Sequence, residues 1–189
     1  MAALEQRRDD PASAAMIDWR QRAVVLYDPA PFTRRLILDV LRNAGGVAVR
    51  GSSDPDSAAR MSLYARNPIL LAGWSLEEEG ALRFLRAVRR HHTSRRTAPA
   101  VLLSSRASQA DVEAARDAGA DTVLLRPVSP KALIDRLDHA ARIDRAFIDA
   151  PGYVGPDRRR NRDPDVDMPV VFKRDDDVQA GHVAPFRAL

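Results

Sequence analysis

A short apolar run followed by an amphipathic one recurs five times between residues 22 and 147, and this alternation constrains the fold more than any other feature. "RAVVLYD" (22 to 28) precedes "PAPFTRRLILDVLRNAGG" (29 to 46), in which Phe32, Leu36, Val40, Leu41 and Ala44 recur at helical spacing before a glycine stop. "VAVRG" (47 to 51) precedes "DPDSAARMSLYARN" (54 to 67), which opens with an Asp cap and a proline at the first helical position. "PILLAG" (68 to 73) leads to a helix near 80 to 92, and "APAVLLSS" (98 to 105) to "SQADVEAARDAGA" (108 to 120). "DTVLLRP" (121 to 127) leads to "SPKALIDRLDHAARIDRAF" (129 to 147). Strands joined by helical crossovers lie parallel, and parallel sheets carry helices on both faces. A five-stranded α/β domain follows.

The pattern places that domain at residues 22–149, after an N-terminal extension (1–21) and before a tail (150–189) rich in Arg, Asp and Pro. The tail has five prolines, many charges and no sustained periodicity, so it reads as mostly disordered and dispensable for stability. The absence of cysteine removes disulfides and thiolate chemistry, and it fits a reducing compartment. With no stretch apolar enough to cross a bilayer, a soluble, cytoplasmic protein without membrane partners is expected. Thirty basic residues against 26 acidic ones leave a net charge of +4, so distribution matters more than the sum.

Two segments, "YDPAPFTRRLILDVLRNAG" and "DVEAARDAGADTVLLRPVSPKAL", carry a resemblance. From about Ala23 to Arg142 the chain resembles the receiver domain of two-component response regulators. The resemblance implies the flavodoxin-like (CheY-like) fold, a doubly wound parallel sheet of order 2-1-3-4-5. In that family a partner kinase phosphorylates an aspartate at the end of strand three. A Mg²⁺ is held by that aspartate and an acidic pair after strand one, a Ser or Thr and a Lys contact the phosphate, and an aromatic residue on strand five reports the change.

Carried over residue by residue, the site is degenerate. Gly73 stands at the phosphoacceptor position, where an acyl phosphate needs a carboxylate nucleophile. Asp28 matches the first member of the acidic pair but Pro29 stands at the second, which leaves one of three carboxylates and argues against a metal. Ser104 keeps the hydroxyl, Arg126 replaces the Lys before Pro127, and Val123 replaces the switch aromatic. The resemblance therefore implies a pseudo-receiver with no catalytic residue and no cofactor. Ser104 and an Arg126 paired with Asp28 would then hold the loops. Glu77, Glu78 and Glu79 admit two readings, a standing negative charge that mimics phosphorylation or a favourable interaction with a helix start.

Charge adds two candidate anion sites. Residues 81 to 108 contain Arg83, Arg86, Arg89, Arg90, Arg95, Arg96 and Arg106 with no acidic residue, and Arg86 and Arg90 share a helix face. The tail cluster "RRRNR" places Arg158, Arg159, Arg160 and Arg162 together, a composition able to hold a cyclic dinucleotide such as cyclic di-guanylate. From Asp157 to Asp177, however, six basic residues face seven acidic ones, and no helix-turn-helix signal supports DNA binding. His91 and His92 are adjacent, a spacing unsuited to one metal.

The reading that follows is a non-phosphorylatable, non-enzymatic adaptor of a two-component or phosphorelay system. Its partner would be a histidine kinase, a phosphotransfer protein or another regulator, with a homodimer left open. By resemblance the docking face is that of the fourth helix, fifth strand and fifth helix, including Arg106, Gln109, Glu113, Asp121, Lys131 and Asp135. The alternatives are a nucleotide-sensing effector and a conventional phosphorylated receiver.

Overall fold

The computed structural model describes residues 18–75, 79–106, 108–143, 145–150, 152–158 and 171–172. Its elements are β1 (Ala23–Tyr27), α1 (Pro31–Asn43), β2 (Ala48–Ser52), α2 (Pro55–Tyr64), β3 (Pro68–Trp74), α3 (Gly80–Arg89) and a 3-10 turn (Ser94–Thr97). They continue with β4 (Ala100–Ser104), α4 (Gln109–Asp117), β5 (Thr122–Leu125), α5 (Pro130–Arg142), β6 (Phe147–Ala150), β7 (Tyr153–Pro156) and β8 (Val171–Phe172). The first five strands form one parallel sheet in the order β2-β1-β3-β4-β5, the order that the resemblance implies.

Side-chain alternation on β1 divides the core into two layers. Val24 and Leu26 join Ile37 and Leu41 of α1 and Leu133 and Leu137 of α5. Val25 and Tyr27 face the other way, toward Ala58 and Ala59 of α2, Phe84 and Leu85 of α3 and Ala115 of α4. Every residue of β3 is buried, as the central strand of a sheet covered on both faces must be. The helix starts are set locally. Asp54 accepts the Ser57 N–H at 2.8 Å, and this bond holds its carboxyl below the usual carboxylate range. Ser108 and Asp111 form a reciprocal capping box at α4, a device worth ~1 kcal/mol.

Three expectations are corrected. Trp19, assigned to the N-terminal extension, is buried in the α1/α5 layer; an isolated aromatic outside the periodic segments carries no local signal of burial. The fifth helix, expected to reach Phe147, ends at Arg142, and Phe147 begins β6, where its fully buried ring lies 5.1 Å beneath the Arg89 guanidinium. Residues 152–158 are no structureless tail. β6 and β7 form an antiparallel hairpin around Gly152 (φ +91°), and β8 pairs with the other edge of β6. Arg158 donates to the carbonyl of Ala120, and the Tyr153 hydroxyl donates to Pro156 at 2.9 Å. Burial pushes the Tyr153 phenol up, with Arg158 opposing.

Arg89 joins this second sheet to the first. Its side chain is 1% exposed, yet its donors reach the carbonyls of Gly119 (2.8 and 3.0 Å), Arg96 (2.6 Å) and Ala98 (2.7 Å), and it lies 3.4 Å from Asp121. Asp121 in turn accepts the Ala100 N–H at 2.8 Å. Gly119 adopts φ +82°, and a Cβ there would stand 2.9 Å from Arg89 Cγ, so only glycine fits. Arg89→Leu removes the cation and strands the Asp121 carboxylate and three carbonyls in a dry interior. The expected loss is about 3–5 kcal/mol, measured by chemical denaturation.

Candidate functional site

In an open parallel α/β sheet the loops at the carboxyl ends of the strands form the ligand crevice. Here register sets which residues meet. Tyr27 pairs with Ala72, Gly73 with Leu103, and Ser104 with both Trp74 and Leu125, so Asp28, Gly73, Ser104 and Arg126 converge at one pole. The cleft there measures about 340 Å³ and is lined by Asp28, Pro29, Gly73, Trp74, Ser75 and Arg126, among others.

Asp28 is held from both sides. Its Oδ1 accepts the Ala30 N–H at 2.9 Å, which tightens the turn into α1, and Oδ2 lies 3.6 Å from Arg126 Nη1. The carboxylate is 2% exposed. Arg34, one turn into α1, donates to the carbonyl of Asp28 at 2.6 Å. Arg126 reaches inward because its own N–H donates to Ser104 at 2.8 Å while Nη2 donates to Leu103 at 2.9 Å. The Arg126–Pro127 peptide is cis. Ser104 is buried, and its hydroxyl accepts the Arg106 N–H at 3.2 Å.

Gly73 sits beneath this pair. A Cβ at that position would lie 2.6 Å from Asp28 Cγ and 2.9 Å from Arg126 Nη2, closer than real atoms pack. The space that a side chain at 73 would need is filled by the Asp28–Arg126 pair. The same arrangement bears on metal binding. Among the described residues the cleft offers one carboxylate, and a guanidinium stands against it, so this donor set does not fit a Mg²⁺ ion, which requires oxygen ligands. Among the described residues no cluster of three or more His, Asp or Glu side chains is placed to hold a metal.

The first five strands and helices have the CheY-like receiver fold. The receiver-fold domain is similar to several solved structures at 20–23% identity. One is a putative pilus assembly-related protein from Burkholderia pseudomallei (TM-score 0.57, 20% identity, 68% of this chain and 95% of that one). Another is the chemotaxis protein CheY4 of Vibrio cholerae (0.56, 21%, 63% and 97%). A third is the receiver domain of the sensor histidine kinase PA1611 from Pseudomonas aeruginosa, which holds a magnesium ion in its active-site cleft (0.55, 23%, 64% and 97%). By sequence the chain is 30% identical over 122 residues to the phosphate regulon transcriptional regulatory protein PhoB of Klebsiella pneumoniae, and 29% identical to that of Escherichia coli. The match covers 65% of this chain and 52% of each PhoB, so the chain spans about half the length of these curated relatives. No family model matches it.

The other candidate positions fall differently around the receiver fold. Val123 is half-buried and packs as an aliphatic residue on the α2/α3/α4 layer. Arg106, Gln109, Glu113, Lys131 and Asp135 are exposed, and Gln109 bonds Glu113 within α4 as Lys131 pairs with Asp135 within α5. Asp121, expected beside them, is buried and committed to Arg89 and Ala100. The basic run of residues 81–108 is largely compensated by distant elements: Arg83 pairs with Asp56, Arg89 with Asp121 and Arg96 with Asp149, while Arg95 donates to Ala65. Arg86 on α3 and Arg90 at its C-cap make no ion pair among the described residues. Of the tail cluster, Arg158 is committed to Ala120; Arg159, Arg160 and Arg162 lie outside the described residues, as do Glu77 and Glu78.

The buried role of Arg89 escaped the sequence analysis, although a signal exists. Leu82, Leu85 and Arg89 follow i, i+3, i+7, which places the arginine on the apolar stripe of α3.

Gly73→Ala tests how closely the site is closed. The added methyl is expected to cost ~1–3 kcal/mol by overpacking. In an Asp28→Ala background, where the carboxylate is gone, the same change should cost measurably less. A double-mutant cycle by denaturation reads the coupling.

Proposed function

We propose that this chain is a receiver-fold signalling protein that acts as a non-enzymatic docking module and accepts no phosphoryl group. One observation carries the reading: the backbone of Gly73 lies directly under the Asp28–Arg126 pair, with neither a carboxylate at 73 nor room for one. Formation of an acyl phosphate requires an accessible carboxylate nucleophile. Asp28, the carboxylate that remains in the cleft, is buried against a guanidinium. The similarity to PhoB and the receiver fold support a partner drawn from two-component signalling. The test is direct. Incubation with acetyl phosphate, or with beryllofluoride as an acyl-phosphate mimic, is expected to leave the intact mass and the fluorescence of Trp74 unchanged. A stoichiometric, base-labile gain of one phosphoryl group would return the chain to the conventional receivers.

The proposed docking face comprises α4, β5 and α5. Its exposed polar residues are Arg106, Gln109, Glu113, Lys131 and Asp135, and Val112 on α4 and Leu125 at the end of β5 add apolar surface, 45% and 50% exposed. Exposed aliphatic side chains beside a locally satisfied ion pair and hydrogen bond are a composition suited to protein contact. A histidine kinase or regulator that binds the wild type is expected to be lost by the double variant Val112→Glu, Leu125→Glu, with unchanged circular dichroism, and kept by Arg158→Ala. The reverse pattern would move recognition to the tail.

A further inference from the structure

At the amino ends of the first two strands, opposite the Asp28–Arg126 pole, a second cleft of about 200 Å³ is lined by Arg20, Arg22, Arg50, Arg66 and Tyr64 over a floor that includes Ala23 and Val25. Among the described residues four arginines and no acidic residue line it. The arrangement follows from the fold. Arg50 pairs in register with Val25, so its side chain lies on the face covered by α2; because β2 is the edge strand, its stem can leave the sheet beside the end of that helix. Tyr64 is the last residue of α2, and the residue is 73% exposed. The chain then turns through Arg66, whose carbonyl accepts the Ala23 N–H at 3.1 Å, which fixes the two walls together. Arg95 donates to the Ala65 carbonyl at 3.1 Å and steadies the same turn.

Elsewhere in the domain Arg83, Arg89, Arg96, Arg126 and Arg142 each face an aspartate, while Arg86 and Arg90 stand on an open helix surface rather than around a cleft. Among the described residues Arg20, Arg50 and Arg66 make no side-chain hydrogen bond or ion pair. The nearby Asp18 turns its carboxylate onto the Arg20 backbone N–H at 3.0 Å. Cations converging on a concave, partly apolar surface concentrate a positive field. The guanidinium fork matches phosphate oxygens in pairs. The cleft has room for a phosphate or diphosphate but not for a whole nucleotide, so an attached base would lie outside it, against the exposed face of Tyr64.

We infer that this cleft is a binding site for a nucleoside diphosphate or a related phosphorylated nucleotide, with the phosphates held by Arg20, Arg50 and Arg66 and the base stacked on Tyr64. The site is separate from the degenerate receiver cleft and from the α4–β5–α5 face, and it gives the docking module a small-molecule input. It stands whether or not Gly73 abolishes phosphorylation.

Calorimetric titration of the full chain at low salt with inorganic pyrophosphate, with ADP and GDP, and with a single-stranded oligoribonucleotide tests the inference. Pyrophosphate and both nucleotides are expected to bind, the nucleotides about tenfold more tightly, since stacking of a base on an aromatic ring is worth about that factor or more. Tyr64→Ala should remove the nucleotide advantage and leave pyrophosphate unaffected. Arg50→Ala with Arg66→Ala, both at exposed positions, should abolish binding of all three while the melting temperature holds. Absence of nucleotide binding, or binding that survives the double arginine variant, overturns the site. Equal affinity for nucleotides with and without Tyr64 overturns the stacking assignment. Binding of the oligoribonucleotide that ADP and GDP fail to displace overturns the small-molecule assignment in favour of a nucleic acid.

Discussion

The described part of this molecule depends on one buried cation. Arg89 enters the core on the apolar face of α3, beneath 1% exposure, and survives there because every direction in which it can donate is answered: three carbonyls from two loops, one carboxylate and the face of Phe147. An ion of this kind is tolerated in a dry interior only when both its charge and its hydrogen bonds are met. The consequence reaches well beyond one side chain. The 3-10 turn after α3, the first residue of β4, the turn between α4 and β5 and the start of β6 are all defined relative to that guanidinium. Arg89 thereby makes the C-terminal hairpin part of the domain.

The opposite pole shows the same chemistry in a different use. Asp28 and Arg126 meet over Gly73, in a cleft that in the receiver fold lies at the carboxyl ends of the strands. A glycine under an ion pair is a stable arrangement in its own right. The carboxylate has its Ala30 N–H and the arginine its Leu103 carbonyl. The glycine at the tip of β3 and the long cation after β5 are therefore coupled, since a Cβ at residue 73 would meet both Asp28 and the Arg126 guanidinium. That view makes the cleft a closed joint between the loops of β1, β3 and β5.

Charge looks different in one dimension and in three. Along the chain the segment from 81 to 108 is the most conspicuous block of positive charge, yet most of it is spent on aspartates and carbonyls of other elements. The cleft at the amino ends of β1 and β2 instead gathers Arg20, Arg50 and Arg66, which no window of sequence brings together. Parallel β1–β2 pairing and the return of the chain from α2 create that cluster. Long-range contacts, not composition, decided where the field is focused.

The sequence by itself determined the alternation of strands and helices, the order of the sheet through its resemblance to receivers, the starts of α2 and α4, and the absence of a carboxylate at residue 73. These are local facts: periodicity, caps and residue identity are carried by neighbours within one turn or one strand. It did not determine the end of α5 at Arg142, because residues 143–147 continue a helical pattern, and the pull of Phe147 toward Arg89 is a contact across 58 residues. It did not reveal Trp19 as core, Asp121 as buried or Tyr153–Pro156 as a strand. Each of these is fixed by a partner far away in the chain, whose presence no local pattern records. Only the tertiary structure could decide which cations are matched and which are free, since an ion pair is a property of two positions in space, and the sequence gives the distance between them only along the chain.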